Sequence, residues 1–504
     1  MADSPSRQLK PKLAVLDAAA FCRARPVAIL VLSVLILVPC FWHSQIEAGD
    51  LASHSYNAWL AQLIAKNQAP GLYVVHQWDN VLFDLSLFHL GNLIGLHAAE
   101  KFLISVGALS FFWGVFAFLS AISRRPPWIL TPCIGMLTYG YSFSMGFINY
   151  WLSLGLACCV LAILWRGGIG NWLCAAPLAT LVFMAHPIGF LWTVCTLVYV
   201  FVWRVIPERW RFTLLILAAV FLFGIHLFVL HHASFDASWP DNPFYLLNGS
   251  DQLILFGRRY AFLSYAALAW GILCFVVDGP WPLQGREAVS APIYRLTLEL
   301  YGIAFFATSL LPENLHSSLY AGWIGLLVSR LTAISAILGL AVLSCARPRK
   351  WIFAGFLVCA AVFFTFVYQD TGALNRVEAN ARRVVASLPY GTRVIPYLNP
   401  PDGWRVEFIF HVVERACIGH CFSFSNYEPS SGQFRIRVCP GSPLVTASSD
   451  DAEAMASGDY IVQDSDPPLT VIYQCDDDDF TKLCAAPLHP GDSTQTPTLD
   501  SGDN

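Results

Sequence analysis

The sequence predicts an all-α polytopic membrane bundle of about 11 transmembrane helices, followed by a small C-terminal α+β domain outside the membrane. Three observations predict it. Hydrophobic residues are 56% of the 504 and charged residues only 13%, more apolar side chain than a soluble core requires. Apolar windows near the length of one bilayer crossing recur as far as residue 368. Beyond residue 370 the chain turns polar and gains β-branched and turn residues.

Residues 1–25 form a basic cytoplasmic lead carrying Arg7, Lys10, Lys12, Arg23 and Arg25. The run PVAILVLSVLILVPCFW follows with no small-x-small cleavage site after it, which predicts an uncleaved first helix. Within residues 26–369 the candidate spans lie near 26–43, 102–121, 128–145, 148–165, 172–186, 188–204, 212–232, 260–277, 294–312, 320–344 and 351–368. A large first loop, 44–101, separates the first two.

With the N-terminus inside, the lead is joined by Arg124, Arg125, Arg166, Arg204, Arg209, Arg211, Arg286, Arg295, Arg347, Arg349 and Lys350. The opposite loops before residue 370 hold only Lys66, Lys101, Arg258 and Arg259, so the positive-inside rule sets the orientation. The first loop and everything after Tyr368 then face outward. The net charge is only -4 and the basic residues are scattered, so nothing suggests nucleic acid as a partner.

The predicted outer domain covers 370–488, with strand-like runs TRVIPYL, WRVEFIFHVV, FRIRV, DYIV and TVIY, and 489–504 reads as a disordered tail. Ten cysteines fall in or beside apolar runs, where a thiol behaves as a small hydrophobe. The other five, Cys417, Cys421, Cys439, Cys475 and Cys484, lie in the outer domain, where disulfides are favoured; an odd number leaves at least one without a partner in the chain. Their pairing is open at this point, and CIGHC as a metal site lacks a second ligand pair at a suitable spacing.

The first loop concentrates acid, imidazole and amide. From Asp50 onward Tyr56, Trp59, Leu60, Leu63 and Ile64 follow the helical template, which predicts an amphipathic helix on the membrane surface. Asp50, His54 and Asn57 stand at i, i+4 and i+7 on its opposite face, with Glu47 just upstream. A purely local reading makes Asp50 a helix-start residue and His54 its i+4 partner. The long, aromatic-rich and His-rich stretch after it favours a functional loop.

With GDLASHSYNAWL, FINYWLSLGLACCVLAILW and LPENLHSSLYAGWIGLLVSRL as its blocks, the chain resembles the GT-C class of integral-membrane glycosyltransferases, in a poorly characterised bacterial branch. The likeness covers most of the chain in architecture but its motif is short. Better known members carry a tandem acidic pair; here the acids are Glu47-x-x-Asp50. The resemblance implies a multi-pass protein of a bacterial inner membrane that moves a sugar from a polyprenyl-linked donor to a glycan, lipid or protein acceptor in the cell envelope. It implies Asp50 as general base, with His54 orienting it or joining Glu47 and Asp50 around a divalent cation, Mg2+ or Mn2+.

Arg330 falls about ten residues into its predicted span, where an unpaired guanidinium costs at least a few kcal/mol. It is either a partner of a buried acid such as Glu299 or a clamp for the donor phosphate. Arg258 and Arg259 are further phosphate candidates or interface anchors, and His231 and His232 are candidate donor or metal contacts. His186, before Pro187, reads as a helix-end hydrogen-bonding residue; Tyr139, Tyr141, Asn149, Tyr150 and Trp151 read as an aromatic belt around an outer turn. Two rival classes remain in view. A transporter or glycan flippase would line its path with Arg330 and Glu299, and an inactive GT-C-like scaffold would explain the altered acidic motif.

Overall fold

The structure is a computed structural model that describes residues 23–495 apart from 166, 233–234, 240–246, 280–290, 318–321, 347, 402, 407–408 and 477–478. Arg7, Lys10, Lys12, Arg166, Arg286 and Arg347, and the tail from 496 onward, lie outside the described residues.

The chain opens with α1 (Pro26–Phe41), α2 (Leu51–Ala65), strand β1 (Leu72–Val74), α3 (Leu82–Ile94) and α4 (Leu96–Ser123). Next come α5 (Thr131–Thr138), α6 (Tyr141–Ser144), α7 (Ile148–Leu164), α8 (Ile169–Ala185), α9 (Pro187–Val205) and α10 (Glu208–His231). Then follow β2 (Phe235–Ser238), α11 (Arg258–Asp278), α12 (Ala291–Leu310), β3 (Asn314–Ser317), β4 (Gly322–Ile324), α13 (Leu327–Cys345) and α14 (Lys350–Ser387). Among the described residues six of these helices, α4, α9, α10, α11, α13 and α14, are long and apolar enough to cross a membrane. The apolar helices α1, α3, α7 and α8 are shorter.

Several predicted spans take other forms. Residues 128–145 are a 3-10 turn followed by the two short helices α5 and α6, broken at Gly140, whose added Cβ would lie 2.7 Å from the Gln252 carbonyl. The broken pair α8 and α9 divides at Pro187, where His186 caps α9 by accepting from Ile188 N at 3.1 Å. Tyr139, Tyr141, Asn149, Tyr150 and Trp151 are buried, not a belt: Tyr139 donates to the Ile36 carbonyl at 2.5 Å and Trp151 to that of Thr138 at 2.9 Å. Helices α4 and α7 come together backbone to backbone because Gly114 and Gly155 face each other; a Cβ on Gly114 would lie 2.3 Å from the Gly155 carbonyl.

The polar switch near residue 370 does not end a helix. α14 runs through it for 38 residues, and Thr371, Leu374, Val377, Ala381 and Val385 carry its buried stripe onward. After it come β5 (Arg393–Tyr397), α15 (Val412–Cys417), β6 (Phe422–Ser423), α16 (Tyr427–Ser431), β7 (Ile436–Val438), α17 (Ser449–Ser457), β8 (Leu469–Gln474) and β9 (Leu483–Leu488). The sheet order is β6-β5-β8-β9, with β5 parallel to β6 and β8 and antiparallel pairing only between β8 and β9. Of the predicted strands, the described part of WRVEFIFHVV makes an isolated bridge, a 3-10 turn and the start of α15, while DYIV contributes only an isolated bridge from Ile461 to Ser493. That bridge, with fully buried Thr494, also orders part of the predicted tail.

This segment shares its core with the bundle. Val394, Ile409, Val412 and Val413 belong to the same continuous apolar cluster as Leu51, Leu60 and Phe111, while a smaller cluster around Ile395, Met455 and Val471 lies on the sheet. Strand β7 pairs with β1 of the first loop, so the two segments fold onto each other. Disulfides join Cys417 to Cys421 and Cys475 to Cys484, leaving Cys439 free and exposed. CIGHC is therefore a disulfide turn and not a metal site; His420 bonds the Leu388 carbonyl at 2.8 Å.

Candidate functional site

Helix α2 is where the sequence places it, but most of it is buried within the protein instead of exposing one face. Residues 409–438 cover its polar face. Ser53 donates to Glu428 at 3.1 Å, Asn57 accepts from Asn426 at 2.9 Å, and the Tyr56 hydroxyl accepts from Ser423 N at 2.8 Å. Asn57 is thus a buried structural partner beside the site, its own amide donating to the Ser53 carbonyl at 3.1 Å.

Asp50 begins this helix. Its backbone is held by a tight meeting of two loops: Gly49 N donates to Ser144 O at 2.8 Å and Asp50 N to Met145 O at 3.2 Å. Only glycines permit it. A Cβ at Gly49 would lie 2.3 Å from Met145 O, and Gly146, at φ +84, would place one 2.1 Å from Asp50 N. The Asp50 side chain makes no cap bond to its helix and remains 30% exposed.

Two histidine–carboxylate pairs flank it. His54, one turn along α2, meets Asp84 of α3 at 2.7 Å, and Asp84 also accepts from Asn149 of α7 at 2.8 Å. Asn149 in turn accepts from Phe83 N at 2.8 Å, which fixes the start of α3. His411, just before α15, meets Glu414 at 3.0 Å through Nδ1 and presents Nε2 to Asp50 at 3.7 Å. The Tyr427 ring packs on His411 with centroids 5.4 Å apart.

The carboxylates govern the charge of both imidazoles. Burial would lower His54, but the Asp84 carboxylate overcomes it and, with Glu428 and Asp50, holds the ring up at about 9. Burial likewise opposes charge on His411, and Glu414, then Asp50 and Glu428, raise it to about 9. Asp84 would be raised by burial, but His54 and Asn149 hold it below the usual carboxylate range. Glu428 is pushed up to about 7 by burial, against the pull of His54.

Arg330 completes the cluster from α13. It lies in the first turn of that helix, not ten residues into a span, because the apolar run before it forms β4 and a turn with Leu326 at φ +53. Its Nη1 donates to Gly325 O at 2.7 Å, its guanidinium lies 4.3 Å from the centroid of the Phe147 ring, and its carbonyl accepts from Tyr150 at 2.5 Å. Asp50 is the acid whose charge acts most strongly on it, and its Nε has no partner among the described residues. Glu299 is not its partner. That acid pairs with Arg295 at 2.8 Å and accepts from Tyr199 and Trp203, both at 2.9 Å.

The other expected residues are elsewhere. Glu47 turns inward to Arg415 of α15 at 2.7 Å, where Glu100 and Glu378 also converge. Burial pushes Glu47 up to about 8 against the attraction of Arg415. Glu47 therefore stands apart from Asp50 and His54, and no three His, Cys, Asp or Glu side chains among the described residues are placed to hold a metal ion. Arg259 is bound to Asp370 and Gln369 and stacks on Phe366, while Arg258 is exposed. Neither has a hydrogen bond, ion pair or ring contact to Asp50 or Arg330. His231 and His232 end α10, with His232 packing on Phe228 at 5.0 Å, and no contact brings either to the cluster.

Asp84, His411, Glu414, Tyr427 and Glu428 were not singled out from the sequence. One signal was present: His411 and Glu414 stand at i, i+3, the spacing of neighbours on a helix. Comparison of the chain with family models, curated proteins and solved structures finds no match.

Proposed function

We propose that this chain is a membrane glycosyltransferase that moves a sugar from a polyprenyl-linked donor to an acceptor on the outer side of a bacterial inner membrane, with Asp50 as general base. One observation carries the reading. Every other acid of the cluster is committed to a partner, whereas Asp50 is the most exposed of them and accepts no hydrogen bond among the described residues. A partly exposed carboxylate whose oxygens accept no hydrogen bond is what a hydroxyl nucleophile needs.

In this reading the acceptor hydroxyl attacks the anomeric carbon, the bond from that carbon to the phosphate oxygen breaks, and Asp50 takes the hydroxyl proton. The lipid phosphate leaves with the electron pair. Arg330, with an unused Nε at the mouth of α13, is suited to bind its oxygens. His411 serves as a positioning residue: its Nε2 faces the Asp50 carboxylate at 3.7 Å. The positive-inside count supports an outward cluster, since most of its residues lie on the first loop and on segments beyond Tyr368.

The test is transfer by purified protein from a defined polyprenyl-phosphate sugar. Asp50→Asn is expected to lose at least about 100-fold in rate. Equal rates for the two proteins would remove Asp50 from the chemistry, and substrate movement without bond formation would replace transfer with transport.

A further inference from the structure

At the far end of α9 from His186, the ends of α4, α7 and α9 meet around one indole. Trp165 follows α7 with its side chain buried, its ring edge-on to Phe118 of α4 at 5.7 Å. Arg204 of α9 lies over the same ring at 5.5 Å and donates through Nη2 to the Trp165 carbonyl at 2.6 Å. Arg124, just past the end of α4, is near enough for its charge to act on Arg204. We propose that this corner binds the headgroup of an anionic phospholipid, whose acyl chains lie along the exposed face of α9. The site does not depend on the transfer reaction.

Two guanidiniums stand together here with no acid to join them. Among the described residues no carboxylate acts on Arg204: Glu299 is bound by Arg295 at 2.8 Å, and Glu208, at the start of α10, pairs with neither arginine. Like charges held together repel unless an anion bridges them. Arg204 spends Nη2 on a backbone carbonyl and keeps its other donors. Arg124 is exposed and makes no hydrogen bond or ion pair among the described residues. Capping a helix end accounts for Arg204 alone. Arg124 caps nothing, yet the chain holds it at φ +56, a left-handed position that glycine adopts at least cost.

The adjoining surface suits acyl chains. Leu191, Val194, Val198, Phe201 and Val205 are exposed at helical spacing, forming one apolar stripe of α9 that reaches Arg204. From Leu191 to Arg204 the helix rises about 20 Å, more than the roughly 15 Å of one leaflet in a ~30 Å hydrocarbon core. The arginines therefore reach phosphate depth when the stripe lies among the chains. Charge then chooses among lipids. A zwitterionic headgroup brings a cation of its own against the two arginines, whereas an anionic one brings the phosphate without it.

Binding is testable without donor or turnover. Full-length protein in detergent is titrated with phosphatidylglycerol and with phosphatidylcholine of the same chains, and bound lipid is counted by native mass spectrometry. Phosphatidylglycerol is expected to bind about tenfold more tightly, and Arg124→Gln should lose about fivefold of that preference. Replacing Arg204 with glutamine as well should remove the rest. The single variant is expected to melt with the wild type, because Arg124 bonds nothing among the described residues, so it carries the test even where loss of the Arg204–Trp165 bond unfolds the double variant. Arg376→Gln, on the exposed polar half of α14, should leave the preference intact. Equal binding of the two lipids, an unchanged preference in Arg124→Gln, or the same loss in Arg376→Gln would overturn the site. Glycerol 3-phosphate is the last probe. Displacement of the lipid at equal concentration would replace the lipid site with one for soluble phosphate esters, and retention of the lipid supports the proposal.

Discussion

Glu47 and Asp50 stand three residues apart on the segment that leads into α2 and meet opposite surroundings. Glu47 is sealed, with Glu100 and Glu378, around the buried Arg415, and Arg382 also reaches Glu378 at 2.8 Å. Asp50 remains 30% exposed, with His411 Nε2 at 3.7 Å and its charge acting on Arg330, His54 and His411. The same functional group is structural in one place and available in the other. What separates them is which neighbouring segment covers each carboxylate, not the type of residue.

The sharpest way to break this comparison is to remove the central cation of the sealed cluster. Arg415→Met would leave Glu47, Glu100 and Glu378 buried without it, and losing one side of a buried ion pair costs about 3–5 kcal/mol. Little folded protein is expected, read as recovery from size-exclusion chromatography in detergent. Asp50→Asn is the counterpart: its melting temperature should fall only slightly, because the carboxylate makes no hydrogen bond among the described residues and meets His411 only at 3.7 Å. A large loss of stability there would place Asp50 with Glu47 as a structural acid.

A pH series separates the two regions next. The fold favours protonated Glu47, raised to about 8, so its contribution is full below the ordinary carboxylate range and falls as pH rises through 8. The fold also favours charged His54, so that contribution is full below about 6.5 and is lost as pH rises through about 9. Both slopes descend, each worth a few kcal/mol at most. Glu47→Gln should flatten the melting-temperature curve below pH 8, and His54→Gln only its part from 6.5 to 9. If both variants keep the wild-type curve, the two groups do not set its slope.

These contrasts also show what the sequence made legible. Helix α2 and the shared stripe of Asp50 and His54 follow from local period, and so does the break at Pro187. Their partners do not. Asp84 is 30 residues from His54, and Arg415 is 368 from Glu47; no local pattern encodes such pairings. Hydropathy also misplaces Arg330, because YAGWIGL is as apolar as a helix end yet turns into α13 only at Leu327. The polar half of α14 escapes for the opposite reason: its buried stripe is helical while its composition looks like a tail.

A smaller effect is expected from the disulfide at the end of α15, the helix that carries both Glu414 and Arg415. The Cys417–Cys421 bridge spans four residues. A loop that short constrains the unfolded chain by only about 2 kcal/mol in the chain-entropy account. Replacing both cysteines with alanine should therefore lower the melting temperature modestly without abolishing folding, since Arg415 remains to hold α15 against α14 through Glu378. The variant then asks whether the open site depends on the sealed one. With α15 still anchored, His411 keeps Glu414 as partner and Asp50 keeps its place, so transfer, on the proposed reading, should remain within a few-fold of wild type. A collapse of transfer in a protein that still folds would mean that the turn after α15, and not the ion cluster, fixes the position of His411 against Asp50.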